Sequence, residues 1–428
     1  MAKWFLSRRT FLITAFLGLI SELPGVAATS PLLKIFKSPT STSAQFTITS
    51  PAAGTAYLEY GLKAGAYTYR TANLSIKKGV VNFITISGLK NSTKYYVRLR
   101  YLYSGKVFAV TSATSFTTAS AVNTANANSI FAIQADPHMD ENSSADIYNK
   151  TLDLIATSGA AFLIDLGDIF MVDKLADKSE ANIRARYVLM KGFYERLKNV
   201  PLKIVLGNHD GELGYSNFNT KKYRAEYFPA QTSEISYFAH VESNALHIGL
   251  DPFTYTTTNP KADGWQWTLG KTQYDWLVNV LKNSKEQYKF VYIHHLLVGD
   301  AQSRGGTHIA SFNEWGGKNM DGSDGFEKMR PGWGKPIHQL LKENGVSIVF
   351  KGHDHLYVKE ELDGIIYQTL PQPSHPGDAT NSAVQYGYGA GKVIGGSGYL
   401  KVQTNSTEAK VDFVKYDGTI ADSYSIKS

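Results

Sequence analysis

VSIVFKGHDHLYV, residues 346–358, opens as an apolar run and ends on two histidines separated by one residue. The apolar half has the length and β-branched character of a buried strand. The polar half sets His353, Asp354 and His355 where that strand runs out. Taken alone, such a pair permits a turn, a strand edge or a metal site. The same arrangement recurs along the chain, and the recurrence decides among them.

From Ile130 onward, apolar runs of strand length follow one another: IFAIQ (130–134), FLIDL (162–166), LKIVL (202–206), ALHIGL (245–250), FVYIH (290–294) and VSIVF (346–350). The stretches Ser144–Thr157, Lys178–Leu197, Lys271–Asn283 and Pro336–Asn344 read as helices between them. Strands this apolar are buried on both faces, with helices as cover. Five of the runs deliver His, Asp or Asn. These are Asp136-Pro137-His138, Gly167-Asp168, Gly207-Asn208-His209-Asp210, His294-His295 and Gly352-His353-Asp354-His355. In open α/β sheets the loops after the strands' carboxyl ends form the ligand crevice, so residues remote in sequence converge there. Six of the eleven histidines lie in these stretches, too many for isolated core or turn positions. Gathering so many ionisable groups is costly unless something neutralises the carboxylates. Two divalent cations would do so. The chain has no cysteine, which excludes disulfides, thiolate ligands and a cysteine nucleophile. A donor set of His, Asp and Asn suits Zn, Fe or Mn.

The series D-x-H, G-D, G-N-H-D, H and G-H-x-H, in that order over residues 136–355, resembles the calcineurin-like metallophosphoesterases. With a β module in front, the arrangement resembles relatives of the purple acid phosphatases. The resemblance implies a β-sandwich flanked by helices, in four αββα layers, holding two metal ions. It gives Asp136, His138, Asp168 and His355 to one ion, and Asp168, Asn208, His294 and His353 to the other, with Asp168 bridging. It implies attack by a metal-bridged hydroxide on a small phosphorylated substrate. His209 would face the leaving group as a proton donor. Asp210 would orient the His209 ring, or serve as a turn residue. Two departures concern the metals. Purple acid phosphatases carry Asp-x-x-Tyr in the second motif, whereas this chain has Asp168-Ile169-Phe170-Met171. Their first motif is usually D-x-G, and here His138 takes the third place. A strictly ferric site is therefore not expected, and Fe, Mn and Zn stay open.

Residues 29–120 read as an all-β sandwich. Short alternating runs such as AQFTITS and VVNFITISGL are separated by Gly, Pro, Ser and Asn. Leu89–Tyr96 resembles the tyrosine corner of fibronectin type III-like domains. A polar linker, AVNTANANS (121–129), leads to a catalytic unit spanning 130–428. That unit closes with two strands around Asp417-Gly418, a hairpin signal. Residues 1–28 have a basic start, an apolar stretch too short to span a bilayer, and small residues up to Ala28. Ser7-Arg8-Arg9-Thr10-Phe11-Leu12 resembles the twin-arginine export signal; a general secretory signal is the alternative. Export to the periplasm or beyond is expected, with the twin-arginine translocase as a transient partner and no stable membrane anchor.

The net charge is +7 without a dense Lys/Arg block, so no nucleic-acid partner is expected. A phosphodiesterase shares the motif set, and a non-catalytic surface binding protein would have damaged ligands. Asp165 is read as a partner of a ligand histidine or as a core polar residue. His295 lines the pocket or packs. Asp354 takes a turn or supporting role. Arg304, His308, Glu314, Lys318 and Arg330 are substrate contacts or parts of a solvated lid. His240, His247, His338 and His375 read as structural. An extended backbone through 353–355 would turn both imidazoles to one side, with Gly352 leaving room for close approach.

Overall fold

The computed structural model describes residues 30–428 except 36–38, 40, 42, 80, 104–106, 120–127, 140–141, 172–173, 211–225, 229–235, 258–263, 299–302 and 390. The leader and most of the linker read from the sequence lie outside the described residues.

Residues 32–117 form two antiparallel sheets. Leu32–Ile35, Ser43–Thr49 and Val81–Ser87 make one. Gly54–Gly61 and Lys94–Leu102 are the centre of the other. Alternate residues of each sheet face inward, so Phe46, Ile48, Ile84 and Ile86 meet Leu58, Val97, Leu99 and Phe116 in one core. Phe46 and Phe116 touch edge-to-face at 5.5 Å across the gap. The corner expected at 89–96 is built by the Lys90 amide donating to the Tyr95 hydroxyl at 2.9 Å.

The remainder holds two larger mixed sheets. The first runs in the order Leu202–Ile204, Leu163–Asp165, Ser129–Gln134, Gly398–Thr404, Glu408–Lys415, Ile420–Lys427, with its first three strands parallel. The second runs Phe238–Glu242, Ala245–Gly249, Tyr288–Ile293, Ile348–Lys351, Ile365–Thr369, Tyr357–Leu362, Lys392–Ile394, with four parallel strands starting from Ala245–Gly249.

Period-2 alternation puts Phe290 and Tyr292 on the inner face, against Phe131, Ile133 and Phe413, while Val291 and Ile293 face the helices. Tyr357 stacks on Phe413 at 4.7 Å between the two sheets. Helices Gly270–Lys282 and Ile337–Glu343 cover the outer face of the second sheet. Ala145–Thr157 and Glu180–Tyr194 cover the first. Four layers result, helix, sheet, sheet, helix, as expected. The two helices over the first sheet begin at serines: Ser144 and Ser179 each cap with a side-chain oxygen that accepts from the amide three residues on. Among the described residues no helix is long and apolar enough to cross a membrane.

Candidate metal centre

Parallel strands place their carboxyl ends at one edge of the sandwich. Ser129–Gln134 leads to Asp136 and His138, Leu163–Asp165 to Asp168, and Leu202–Ile204 to Asn208. From the facing sheet, Tyr288–Ile293 leads to His294, and Ile348–Lys351 to His353 and His355. Backbone bonds tie neighbouring ends together: Asp136 N to Gly167 O at 2.9 Å, His138 N to Asp168 O at 3.1 Å, and Gly352 N to His294 O at 3.0 Å. Bonds to backbone atoms also cross between the sheets. His353 N donates to Asp136 Oδ2 at 2.8 Å, and His294 Nδ1 pairs with Leu166 O at 2.8 Å.

The donor atoms form two groups, Asp136 with His138 and His355, and Asp168 with His294 and His353. Within each group the ligand atoms lie within 4.8 Å of one another. His138 Nε2 and His355 Nε2 face each other at 3.1 Å, and Asp136 Oδ1 lies 3.5 Å from His355 Nε2. Asp168 Oδ2 sits between the groups, 3.6 Å from His138 Nε2 and 3.2 Å from His294 Nε2. Asn208 Oδ1 lies 3.0 Å from His294 Nε2.

These residues fit metal ions. Spacings of 3 to 4 Å are those of neighbouring ligands around an ion with bonds of about 2.0–2.2 Å. Asp136 Oδ1 is buried with no hydrogen-bond partner, which is costly for a carboxylate without a cation. The Leu166 carbonyl accepts from His294 Nδ1, which fixes the ring with Nε2 facing Asp168 and Asn208.

The charge state agrees with a cation site. Burial opposes ionisation of Asp136, but His355 and His294 outweigh it and hold its pKa below the usual range. Asp168 is likewise opposed by burial, yet His294 and His209 hold it well below. Burial lowers His138 to about 4 and, with His295 and His294, holds His353 well below its ordinary value. At His294 burial is overcome by Asp168 and then Asp136, and the ring rises to about 9. Charged carboxylates beside the neutral rings of His138 and His353 present lone pairs and negative potential to a cation.

The backbone around these residues is unusual. Asp136, His138, Asp168, His353 and His355 all have left-handed φ, between 41° and 72°, five of the twelve such non-glycine residues described. Each costs roughly 1–3 kcal/mol, and such residues cluster at functional sites. This corrects the extended conformation expected for 353–355. The two imidazoles reach separate groups through two left-handed turns rather than through strand alternation. Gly352 does allow close approach, since a Cβ there would lie 2.6 Å from Asp136 Oδ2. Gly207 has the same role beside Asp168, where a Cβ would fall 2.1 Å from Oδ1.

Buried carboxylates hold these strained turns. Asp210 accepts from Gly207 N at 2.8 Å, Ile169 N at 2.9 Å and Asp168 N at 3.0 Å, so it braces the Asp168 turn. Asp165 accepts from Gly167 N, Gln134 Nε2 and Tyr194 OH; burial lifts it to about 6 despite these bonds. It bonds this frame, not a ligand histidine. Asp354 lies under the 353–355 turn and accepts from Lys351 Nζ at 2.8 Å, Gly305 N at 2.9 Å and the Tyr388 hydroxyl. Nothing in the sequence flagged Lys351 or Tyr388. A fully buried lysine at a strand end was the available signal.

The other residues singled out by sequence fall in several places. His209 is half-buried; its amide donates to Asp168 Oδ1 at 2.8 Å, and its ring lies 5.6 Å from that of His138. His295 packs, with Nδ1 bonded to Leu296 O and the ring against Trp267 and His353. Arg304 donates to His353 O at 2.6 Å and stacks over Tyr386. Glu314 and Arg330 form a buried ion pair that fastens Leu269, Trp265 and Trp267, so they hold loops together. His308 and Lys318 are exposed. His240 and His247 stack in the core, and His338 bonds Tyr367. His375, read as structural, lines a cavity next to His355.

Comparison with known proteins places these features in context. The family described as calcineurin-like phosphoesterase matches residues 130–357, more than half of the chain. The chain is 25% identical over 266 residues to tartrate-resistant acid phosphatase type 5 of Oryctolagus cuniculus, covering 57% of this chain and 73% of that protein. Its fold is similar to that of PhoD, with a TM-score of 0.50 at 12% identity over 92% of this chain and 89% of that chain. Purple acid phosphatase PPD1 of yellow lupin (Lupinus luteus) gives 0.49 at 13% identity over 93% and 74%.

Proposed function

Because the chain belongs to the calcineurin-like phosphoesterase family, and is thereby a metal-dependent phosphoester hydrolase, we propose that it is an exported phosphatase acting on phosphomonoesters. The observation that carries the assignment is the place of Asp168 Oδ2 between two groups of imidazole and carboxylate donors. Asp136, His138, Asp168 and His355 would hold one ion, and Asp168, Asn208, His294 and His353 the other. Fe, Mn and Zn all suit this donor set. Bound there, the metals supply Lewis acidity, which activates a water and offsets charge on the phosphoryl oxygens.

The chain's own groups do the rest. His209 stands at the half-buried rim beside His138 and donates a proton to the departing alcohol oxygen. Asp210 is a positioning residue, holding the backbone of Gly207, Asp168 and Ile169. The name of the rabbit relative, an acid phosphatase, supports a monoester over a diester. Ser7-Arg8-Arg9-Thr10-Phe11-Leu12 supports export by the twin-arginine route to the periplasm or outside the cell.

Turnover of p-nitrophenyl phosphate against its bis ester by metal-loaded protein tests the reading. The monoester is expected to be hydrolysed faster. Faster hydrolysis of the diester would make the chain a phosphodiesterase, and hydrolysis of neither would remove the phosphatase assignment.

A further inference from the structure

A cavity of about 190 Å³ opens directly beside His355. Besides His355 its polar lining comes from Gln372, His375, Ser382 and Ser397, and its apolar walls include Leu356 and Ile394. Among the described residues no Asp, Glu, Lys or Arg lines it, although charged residues surround the rest of the centre. It is smaller than the roughly 300–1,000 Å³ of pockets for drug-sized ligands.

The polar groups are fixed in place. Gln372 Nε2 donates to Asp136 O at 3.2 Å, tying this wall to a residue of the metal centre. His375 Nδ1 accepts from Gly377 N at 3.0 Å, so the ring proton lies on Nε2 as a donor. The Ser397 hydroxyl donates to the His375 carbonyl and anchors that residue's backbone. The cavity thus offers an imidazole N–H, an amide oxygen and a serine hydroxyl, and its described lining holds no carboxylate, ammonium or guanidinium group.

We propose that this cavity seats the leaving group, and that the substrates are phosphate monoesters of small, uncharged polyhydroxy alcohols, between glycerol and a pentose in size. The inference rests on the phosphatase reading. A phosphoryl group at the metal centre lies next to His355, and its ester oxygen then directs the alcohol into the neighbouring cavity. Alcohol hydroxyls find donors and acceptors there. A charged group of equal size finds no counter-charge in the described lining and loses hydration there.

The test compares kcat/KM of the metal-loaded full chain for glycerol 2-phosphate and O-phosphoserine, whose alcohols are similar in bulk but of which only serine carries charged groups, an ammonium and a carboxylate. Wild type is expected to favour glycerol 2-phosphate at least tenfold. Ser382→Trp, which fills the cavity, should lower kcat/KM for glycerol 2-phosphate at least tenfold while inhibition by inorganic phosphate persists. His375→Ala should raise KM for the same ester severalfold with kcat little altered, and it decides the matter if the tryptophan variant loses phosphate inhibition. Equal wild-type use of both esters, or kcat/KM within twofold of wild type in the deciding variant, would overturn the proposal. If wild type hydrolyses p-nitrophenyl phosphate but neither of these esters, the leaving-group assignment fails alone. If it hydrolyses none of the three, the phosphatase reading itself fails.

Discussion

Asp168 and His294 meet across the two sheets, with Asp168 Oδ2 lying 3.2 Å from His294 Nε2. The same oxygen faces His138 Nε2 at 3.6 Å, so one carboxylate serves both donor groups. Asp168→Asn keeps the volume but removes the charge. Lewis-acid assistance is worth several kcal/mol, and each 1.4 kcal/mol is tenfold in rate. This variant is expected to lose roughly a thousandfold or more in kcat, measured with p-nitrophenyl phosphate, while its circular dichroism stays that of wild type.

His209→Ala separates proton donation from the rest of the site. General acid catalysis contributes about 10²–10⁴-fold, and it matters most when the leaving alcohol is a poor one. Loss in that range is expected with an alkyl phosphate. A much smaller loss is expected with p-nitrophenyl phosphate, whose leaving group departs without a proton. Equal losses for the two esters would remove His209 from the acid role.

Lys351 and Tyr388 are expected to act through the turn they hold. Tyr388→Phe takes one donor from Asp354 and leaves Lys351 and Gly305 in place. Support of this kind is worth about 10–100-fold in metal affinity, readable by competition with a chelating dye. Lys351→Met breaks a fully buried ion pair with Asp354. It should destabilise the fold by about 3–5 kcal/mol, seen as a lower denaturant midpoint.

Much of this centre was legible in the chain itself. Asp, Asn or His after an apolar run marks a strand end, led in by glycine at three of them, and five such marks in order define the cluster. The four long helices fall within a few residues of the stretches read between the apolar runs. What the sequence hid was conformation and support. Alternation suggested an extended 353–355, because nothing local announces that His353 and His355 adopt positive φ. That conformation is held by contacts with Asp136, Arg304 and Gly305 from elsewhere in the chain. Glu314 and Arg330 sit in a glycine-rich stretch, and their pairing depends on loops brought together only by the fold. His375 sits in the proline- and glycine-rich PQPSHPGD (371–378), with no periodicity to show which way it faces.

Acid sensitivity should trace in part to His247. Its Nδ1 pairs with the Tyr292 hydroxyl, and its ring packs among Phe131 and Phe162. Burial, then the positive charge of Lys203, lowers it from 6.5 to about 3. The folded state therefore keeps this ring neutral down to about pH 3, while the unfolded chain protonates it below 6.5. The unfolded state binds more protons across that window, so stability falls as pH falls, by about 1.4 kcal/mol per pH unit for one full proton. Urea unfolding of His247→Gln between pH 7 and 4 is expected to give a shallower decline than wild type by up to that slope. Parallel declines would assign the acid sensitivity to other groups.

The central claim is a two-metal centre built from Asp136, His138, Asp168, Asn208, His294, His353 and His355. Metal content by inductively coupled plasma mass spectrometry, measured alongside turnover of p-nitrophenyl phosphate, tests it most directly. Wild type should carry two equivalents of transition metal per chain. His138→Ala and His353→Ala should each lose one, Asp168→Ala should lose both, and activity should fall with content. Full turnover by a chain freed of metal, or two equivalents retained in Asp168→Ala, would contradict the account.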